Sequence, residues 1–87
     1  MQLSVELTLT PLKDDFEPAI KAFIKKLRRS GFTVLENPLS TQIYGEYQAV
    51  MGFLTQAVQE VFEQEDAVVL QMKLIKGDRS SYVPSFW

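Results

Sequence analysis

The chemistry that this chain could perform is concentrated in the segment NPLSTQIYGEY, residues 37–47. Four of its uncharged polar side chains belong to Ser40, Thr41, Gln42 and Tyr44. Together they offer hydrogen-bond donors, acceptors and a flat ring, which suits a small planar heterocycle with a polar edge and an apolar face. The same residues also favour a plain β-strand, in which threonine and tyrosine are propensity choices. The residue types alone leave both interpretations open.

Charged residues add two further candidates. Glu6 and Lys73 are expected on neighbouring antiparallel strands, where they form a cross-strand ion pair or leave the carboxylate free for a cationic or amino-bearing ligand. Asp14 and Asp15 could hold a metal or act as acid and base, but their place before a helix favours capping. We therefore predict no catalytic residue and no metal site.

Composition excludes several classes of function. The 87 residues contain no cysteine and no histidine, which rules out disulfide frameworks, thiolate nucleophiles, the usual zinc ligand sets and Ser-His-Asp triads. A formal charge of -2 argues against nucleic-acid partners, because that affinity depends on a basic surface. The N-terminal run lacks both a signal-peptide core and a membrane-spanning length, so we expect a cytoplasmic protein without a membrane partner.

Hydropathy periodicity predicts the elements that position these side chains. Apolar residues alternate with polar ones in the predicted strands and recur every three or four residues in the predicted helices. The predicted order is a strand over 2–10, a helix from Phe16 to about Arg29, strands over 32–36 and 40–46, a helix over 47–64 and a strand over 66–76. Two helices with apolar stripes must cover one face of a sheet, and right-handed crossovers then leave few topologies.

The predicted fold is an α+β, ferredoxin-like βαββαβ sandwich. Its four-stranded antiparallel sheet has the strand order 4-1-3-2, with both helices on one face. Alternation along the third strand sends Ser40, Gln42 and Tyr44 to the uncovered face. Thr41 points towards the helices, and Glu6 of the first strand lies on the uncovered face, which is therefore polar.

The C-terminal segment GDRSSYVPSFW, residues 77–87, combines turn residues with Tyr82, Phe86 and Trp87. Water disfavours so much exposed aromatic surface, so we expect this segment to dock on its own domain or on a neighbouring subunit. No linker or repeat interrupts the chain, which predicts one domain over residues 1–87. A domain of this size buries a smaller share of its surface than a larger one, which favours self-association.

Three segments resemble the thiamine-binding protein family, the YkoF-like group. They are SVELTLTPL near the start, SGFTVLENPLSTQIYGEYQAVM in the middle, and the acidic, apolar second helix ahead of VVLQMKLIKGDR. The similarity spans roughly residues 3–80. It is most specific in NPLSTQIYGEY, where a proline and small residues precede Ser-Thr and a Gly-Glu turn into the second helix.

The resemblance implies a non-catalytic ferredoxin-like domain without a cofactor, which binds thiamine or its hydroxymethylpyrimidine part as a homodimer or homotetramer. Ser40 and Thr41 match the family's Ser-Thr positions and would contact the pyrimidine. We add Gln42, Tyr44 and Glu6 to the predicted pocket from strand geometry, with Glu6 favouring the positively charged thiazolium. The aromatic C-terminal segment does not match a feature of the family.

Two other functions stay open. The domain could serve assembly alone, with its polar sheet face and edge strands pairing with copies of itself. It could also be an enzyme that acts on thiamine or a phosphate ester, with Asp14, Asp15 or Glu6 as the base. That third hypothesis has no motif joining a nucleophile to a partner.

Overall fold

The computed structural model describes residues 1–84. Its elements are β1 (Gln2–Pro11), α1 (Glu17–Arg28), β2 (Thr33–Glu36), β3 (Thr41–Glu46), α2 (Tyr47–Gln64) and β4 (Val68–Lys76). The strands form one antiparallel sheet in the order β2-β3-β1-β4. Both helices contact the central strand β1 and each other. The predicted ferredoxin-like α+β fold and its strand order are confirmed.

The core lies between the helices and one face of the sheet. Its buried residues are Leu3, Val5, Leu7, Leu9, Phe23, Leu27, Ile43, Val50, Leu54, Ala57 and Val61. Every second residue of β1 belongs to this set, which the alternation of that strand predicted. Phe32 packs edge-on against Phe53 of α2 at a centroid distance of 5.9 Å, and both partly buried rings pack against this core.

The two helices begin in different ways. The N-cap residue of α1 is Phe16, and no side chain bonds the first amides, so the predicted cap by Asp14 or Asp15 is wrong. Pro18 lies in the first turn and lacks one of the amides that a cap would have satisfied. Glu46 begins α2 instead, because its carboxylate accepts a hydrogen bond from the Ala49 amide at 2.9 Å.

Gly45, near the end of β3, leaves no room for a side chain. A Cβ atom there would lie 2.7 Å from a ring carbon of Phe32 and 2.9 Å from a methyl carbon of Val50. The glycine therefore lets the helix-facing side of β3 approach the core closely. The sequence indicates Gly45 only as part of a Gly-Glu turn, whereas the residue lies within β3 and α2 begins directly after this strand.

Candidate functional site

The register of the sheet divides the predicted site residues between two sides of β3. Gln42 lies opposite Glu6 and Tyr44 lies opposite Ser4, so these four share the uncovered face. Thr41 lies opposite the buried Leu7 and therefore belongs to the side that the helices cover. The structure thus separates Thr41 from the residues with which it was predicted to form one pocket.

A short hydrogen-bond network occupies the centre of the uncovered face. Ser40 donates from its Oγ to Oε2 of Glu6 at 3.0 Å, and Gln42 donates from Nε2 to the same Ser40 Oγ at 2.7 Å. Lys73 is the cross-strand neighbour of Glu6 on β4, yet the ion pairs within residues 1–84 do not join these two residues. The Glu6 carboxylate accepts from a neutral hydroxyl, and Lys73 lies opposite it on the same face without an ion pair within 4.0 Å.

Tyr44 lies on the same uncovered face, two residues along β3 from Gln42. Burial raises the pKa of the Tyr44 phenol above its ordinary value of 10.0, and the negative charges of Asp78 and Glu6 raise it further. The side chain is half-buried, so part of its ring remains open to solvent. At neutral pH the residue therefore presents a protonated hydroxyl and an aromatic face, which is attractive to a cation.

A serine ties the C-terminal segment to the same face. Ser4 is buried; its Oγ donates to the carbonyl of Gly77 at 2.7 Å and accepts from the amide of Arg79 at 2.9 Å. Tyr82 follows in a turn and is mostly exposed. The predicted docking of Phe86 and Trp87 lies outside the described residues. Alternation along β1 places Ser4 on the uncovered face but gives no sign of these two hydrogen bonds.

A cavity of about 220 Å³ lies on the other side of the sheet, beside the loop that joins β2 to β3. Its apolar lining residues are Leu7, Leu9, Ile20, Phe23, Ile24, Pro38 and Leu39, and its polar ones are Thr8, Asn37, Ser40 and Thr41. Pockets that bury drug-sized ligands measure about 300–1,000 Å³. This cavity is smaller, so it matches one small ring with a polar edge.

The loop at the mouth of the cavity is folded by Asn37. Its side-chain oxygen accepts hydrogen bonds from the amides of Leu39 at 2.9 Å and Ser40 at 3.1 Å. Its own amide donates to the Ser40 carbonyl at 3.1 Å, which closes the turn that leads into β3. Because Asn37 fixes Ser40, it also fixes the residue that borders both the cavity and the uncovered face.

The structure therefore brings together Glu6, Ser40, Gln42 and Tyr44 on one face and places Thr41 in a cavity behind them. The cavity walls from α1 cannot be recognised in the sequence, because Ile20, Phe23 and Ile24 have the same helical periodicity as core residues. The sequence indicates Asn37 and Pro38 as the break between two hairpin strands, but not the hydrogen bonds that the Asn37 side chain accepts from the Leu39 and Ser40 amides.

Two further properties concern residues 1–84 as a whole. The described part of the chain holds no group of three or more acidic, histidine or cysteine side chains that could bind a metal ion. Neither of its helices has the length and apolar character that crossing a lipid bilayer requires.

The sheet order and the helix-covered core define a ferredoxin-like α+β domain with a small cavity at one end of its sheet. More particularly, the chain belongs to the thiamine-binding protein family, whose sequence profile matches residues 5–82. The predicted family is thereby confirmed. No protein of curated function matches the chain significantly.

Solved structures share this fold over most of the chain. A protein from Streptococcus pneumoniae is 26% identical, with a TM-score of 0.82 over 93% of this chain and 92% of its own. A protein from Thermotoga maritima, provisionally assigned to thiamine biosynthesis or salvage, is 20% identical, with a TM-score of 0.78 over 85% of this chain and 82% of its own. A hypothetical protein from Methanocaldococcus jannascii is 19% identical, with a TM-score of 0.74 over 88% and 81% of the two chains.

Proposed function

We propose that this protein binds thiamine, or its hydroxymethylpyrimidine part, without transforming it. It does so in the cytoplasm as a self-associating domain that needs no cofactor, and it stores, delivers or senses the vitamin. Membership of the thiamine-binding protein family supports the ligand class. The observation that carries the proposal is the cavity beside Thr41, whose size and lining match one ring of this two-ring ligand.

The pyrimidine ring occupies the cavity. Its flat faces contact apolar walls such as Phe23 and Ile24, while its amino group and ring nitrogens need donors and acceptors along the edge. The hydroxyl of Thr41 supplies one donor and two acceptor positions. The hydroxyl of Ser40 donates to Glu6 and accepts from Gln42, so it keeps one acceptor position for the ring. Thr41 is only 9% exposed, so a hydrogen bond made there is shielded from competing water.

The thiazolium ring of thiamine carries a positive charge and stays near the mouth of the cavity. Ser40 borders the cavity and bonds Glu6, so the carboxylate lies one side chain away from the pyrimidine site. Gln42 holds Ser40 in place, and Tyr44 adds an aromatic face on the same side of the sheet. Glu6 favours the cationic ring by its charge, and Tyr44 favours it by cation–π attraction.

Thermal unfolding with the separate halves of the ligand tests this assignment. A ligand at 100 times its dissociation constant stabilises the folded state by about 2.7 kcal/mol. In a domain of this size that raises the unfolding temperature by roughly 10 °C or more. We expect thiamine and hydroxymethylpyrimidine to raise it and the isolated thiazole alcohol to leave it nearly unchanged. An unchanged temperature with all three compounds would contradict the proposal and support a pure assembly domain.

A further inference from the structure

The side-chain amide of Asn37 has a fixed orientation at the mouth of the cavity. Its oxygen accepts hydrogen bonds from the backbone amides of Leu39 at 2.9 Å and Ser40 at 3.1 Å. Turning the amide over would bring Nδ2, which carries only donors, against these two N–H groups. The hydrogen-bond network therefore distinguishes the oxygen of this side chain from its nitrogen.

The nitrogen of the same amide remains for a ligand. Within residues 1–84, Nδ2 of Asn37 donates to no other residue, whereas both lone pairs of Oδ1 accept from the loop. Asn37 lines the cavity together with Thr8, Ser40 and Thr41, which carry hydroxyls. The cavity thus has a pair of N–H donors without a partner in the described part of the chain, close to hydroxyls that can also bond a ring.

Hydroxyls and amide nitrogens differ in how strictly they select a ligand. A hydroxyl rotates and can donate or accept, so Thr41 adapts to an amino group or to a carbonyl on the ring. Ser40 keeps one acceptor position, because its proton goes to Glu6 and Gln42 fills the other position. Nδ2 of Asn37 can only donate, and the loop prevents the amide from turning over. The strictest chemical requirement in this lining therefore comes from Asn37.

We infer that Asn37 is a specificity-determining residue whose Nδ2 donates to a ring nitrogen of the bound heterocycle. The inference rests on the function proposed above, in which a pyrimidine ring occupies the cavity. It assigns the cavity to rings that offer a nitrogen lone pair at this edge, as aminopyrimidines do. A pyrimidinone carries a hydrogen on the nitrogen beside its carbonyl, and that N–H would face the donors of Asn37. Such a ring is disfavoured, because neither group then has an acceptor.

Asn37→Asp separates contact with the ligand from shaping of the loop. An aspartate oxygen accepts the same two amide hydrogen bonds, so the turn into β3 is kept. The second carboxylate oxygen replaces the N–H donors with an acceptor. We expect an unfolding temperature close to that of the unmodified protein, and an affinity for hydroxymethylpyrimidine that calorimetry finds lower by about 10-fold or more. Gln59→Glu makes the same change at an exposed position of α2 and should leave the affinity unchanged.

A second ligand provides a readout that a purely structural role of Asn37 would not change. It is the pyrimidinone analogue of hydroxymethylpyrimidine, which carries a carbonyl in place of the amino group and a hydrogen on the adjacent ring nitrogen. The unmodified protein should bind hydroxymethylpyrimidine about 100-fold more tightly than this analogue, because Asn37 meets a lone pair in one ring and an N–H in the other. Asn37→Asp should reduce that preference to about 10-fold or less, because its carboxylate accepts from the N–H of the analogue.

The outcomes separate this inference from the function on which it rests. No binding of hydroxymethylpyrimidine to the unmodified protein would contradict the proposed function and the role of Asn37 together. Binding that Asn37→Asp leaves unchanged, or weakens equally for both pyrimidines, would overturn the role of Asn37 and leave the proposed function standing. Equal affinities of the unmodified protein for the two pyrimidines would overturn that role as well, and this comparison needs no folded variant.

Discussion

Consecutive residues of β3 meet two different environments, and the difference explains how one strand could recognise a two-part ligand. Thr41 faces a cavity with mainly apolar walls on the helix-covered side. Ser40 and Gln42 belong to a hydrogen-bond network with Glu6 that is open to solvent. A site shielded from water suits a neutral ring that is recognised by hydrogen bonds to its edge. A site open to water suits a charged ring, because Coulomb attraction acts without direct contact. Because successive side chains of a strand point to opposite faces of the sheet, neighbouring residues of β3 lie in these two environments.

The largest effect is expected where the cavity wall is also core. Phe23 is 4% exposed and lines the cavity, so Phe23→Ala should lower the free energy of unfolding by about 3–5 kcal/mol. Phe16→Ala is the matched control near the start of the same helix, since Phe16 is 47% exposed. Urea denaturation measures both. Equal losses in the two variants would show that the enclosed side is not packed as described.

The end of β3 tests how tightly the helix-facing side of the sheet is packed. Gly45→Ala should lower the free energy of unfolding by about 1–3 kcal/mol, because its Cβ would lie 2.7 Å from Phe32. Gly52→Ala should have the opposite sign and stabilise by about 0.5–1 kcal/mol, because nothing lies within 4 Å and alanine favours the helix. A stabilising Gly45→Ala in thermal unfolding would contradict this packing.

The Glu6 carboxylate on the open side of the sheet should affect ligand affinity through its charge. Glu6→Gln should weaken thiamine binding by roughly 5-fold, about 1 kcal/mol, because it removes the negative charge that faces the thiazolium. The affinity for uncharged hydroxymethylpyrimidine should be unchanged, and added salt should reduce the difference between the two proteins. Glu63→Gln, an exposed residue of α2, is the control. Equal losses for both ligands in calorimetry would show that Glu6 acts on the pyrimidine instead.

The smallest effect concerns the phenol of Tyr44. Its ionisation, taken as the ultraviolet difference between the unmodified protein and Tyr44→Phe, should have a midpoint above 10.0 because burial raises this pKa. A phenol whose pKa is raised in the folded state binds its proton longer than in the unfolded chain. Its contribution to stability is therefore complete below pH 10 and is lost as the pH rises through the folded pKa. A midpoint at or below 10.0 would place the ring in water.

Alternation predicted the division of β3, since a strand with Ile43 in the core must send Gln42 and Tyr44 to the other face. It could not show the cavity, because whether apolar residues of α1 fill a space or line one depends on how closely the helix approaches the sheet. The spacing of apolar residues in α2 places Phe62 on the same stripe as Val58 and Val61, yet Phe62 is 50% exposed in the last turn of the helix. Helical spacing predicts which way a side chain of the helix points, whereas its burial depends on whether another element packs against it there.

Calorimetry of hydroxymethylpyrimidine binding to the unmodified protein, Thr41→Val and Thr10→Val tests the central claim most directly. Valine keeps the shape of threonine and removes only the hydroxyl, and Thr10 is an exposed threonine of β1. We expect saturable binding near one ligand per chain, weakened about 10-fold by Thr41→Val, which leaves a ligand group unpaired, and unchanged by Thr10→Val. Equal affinities in all three proteins, or no binding to a folded protein, would contradict a pyrimidine site at Thr41.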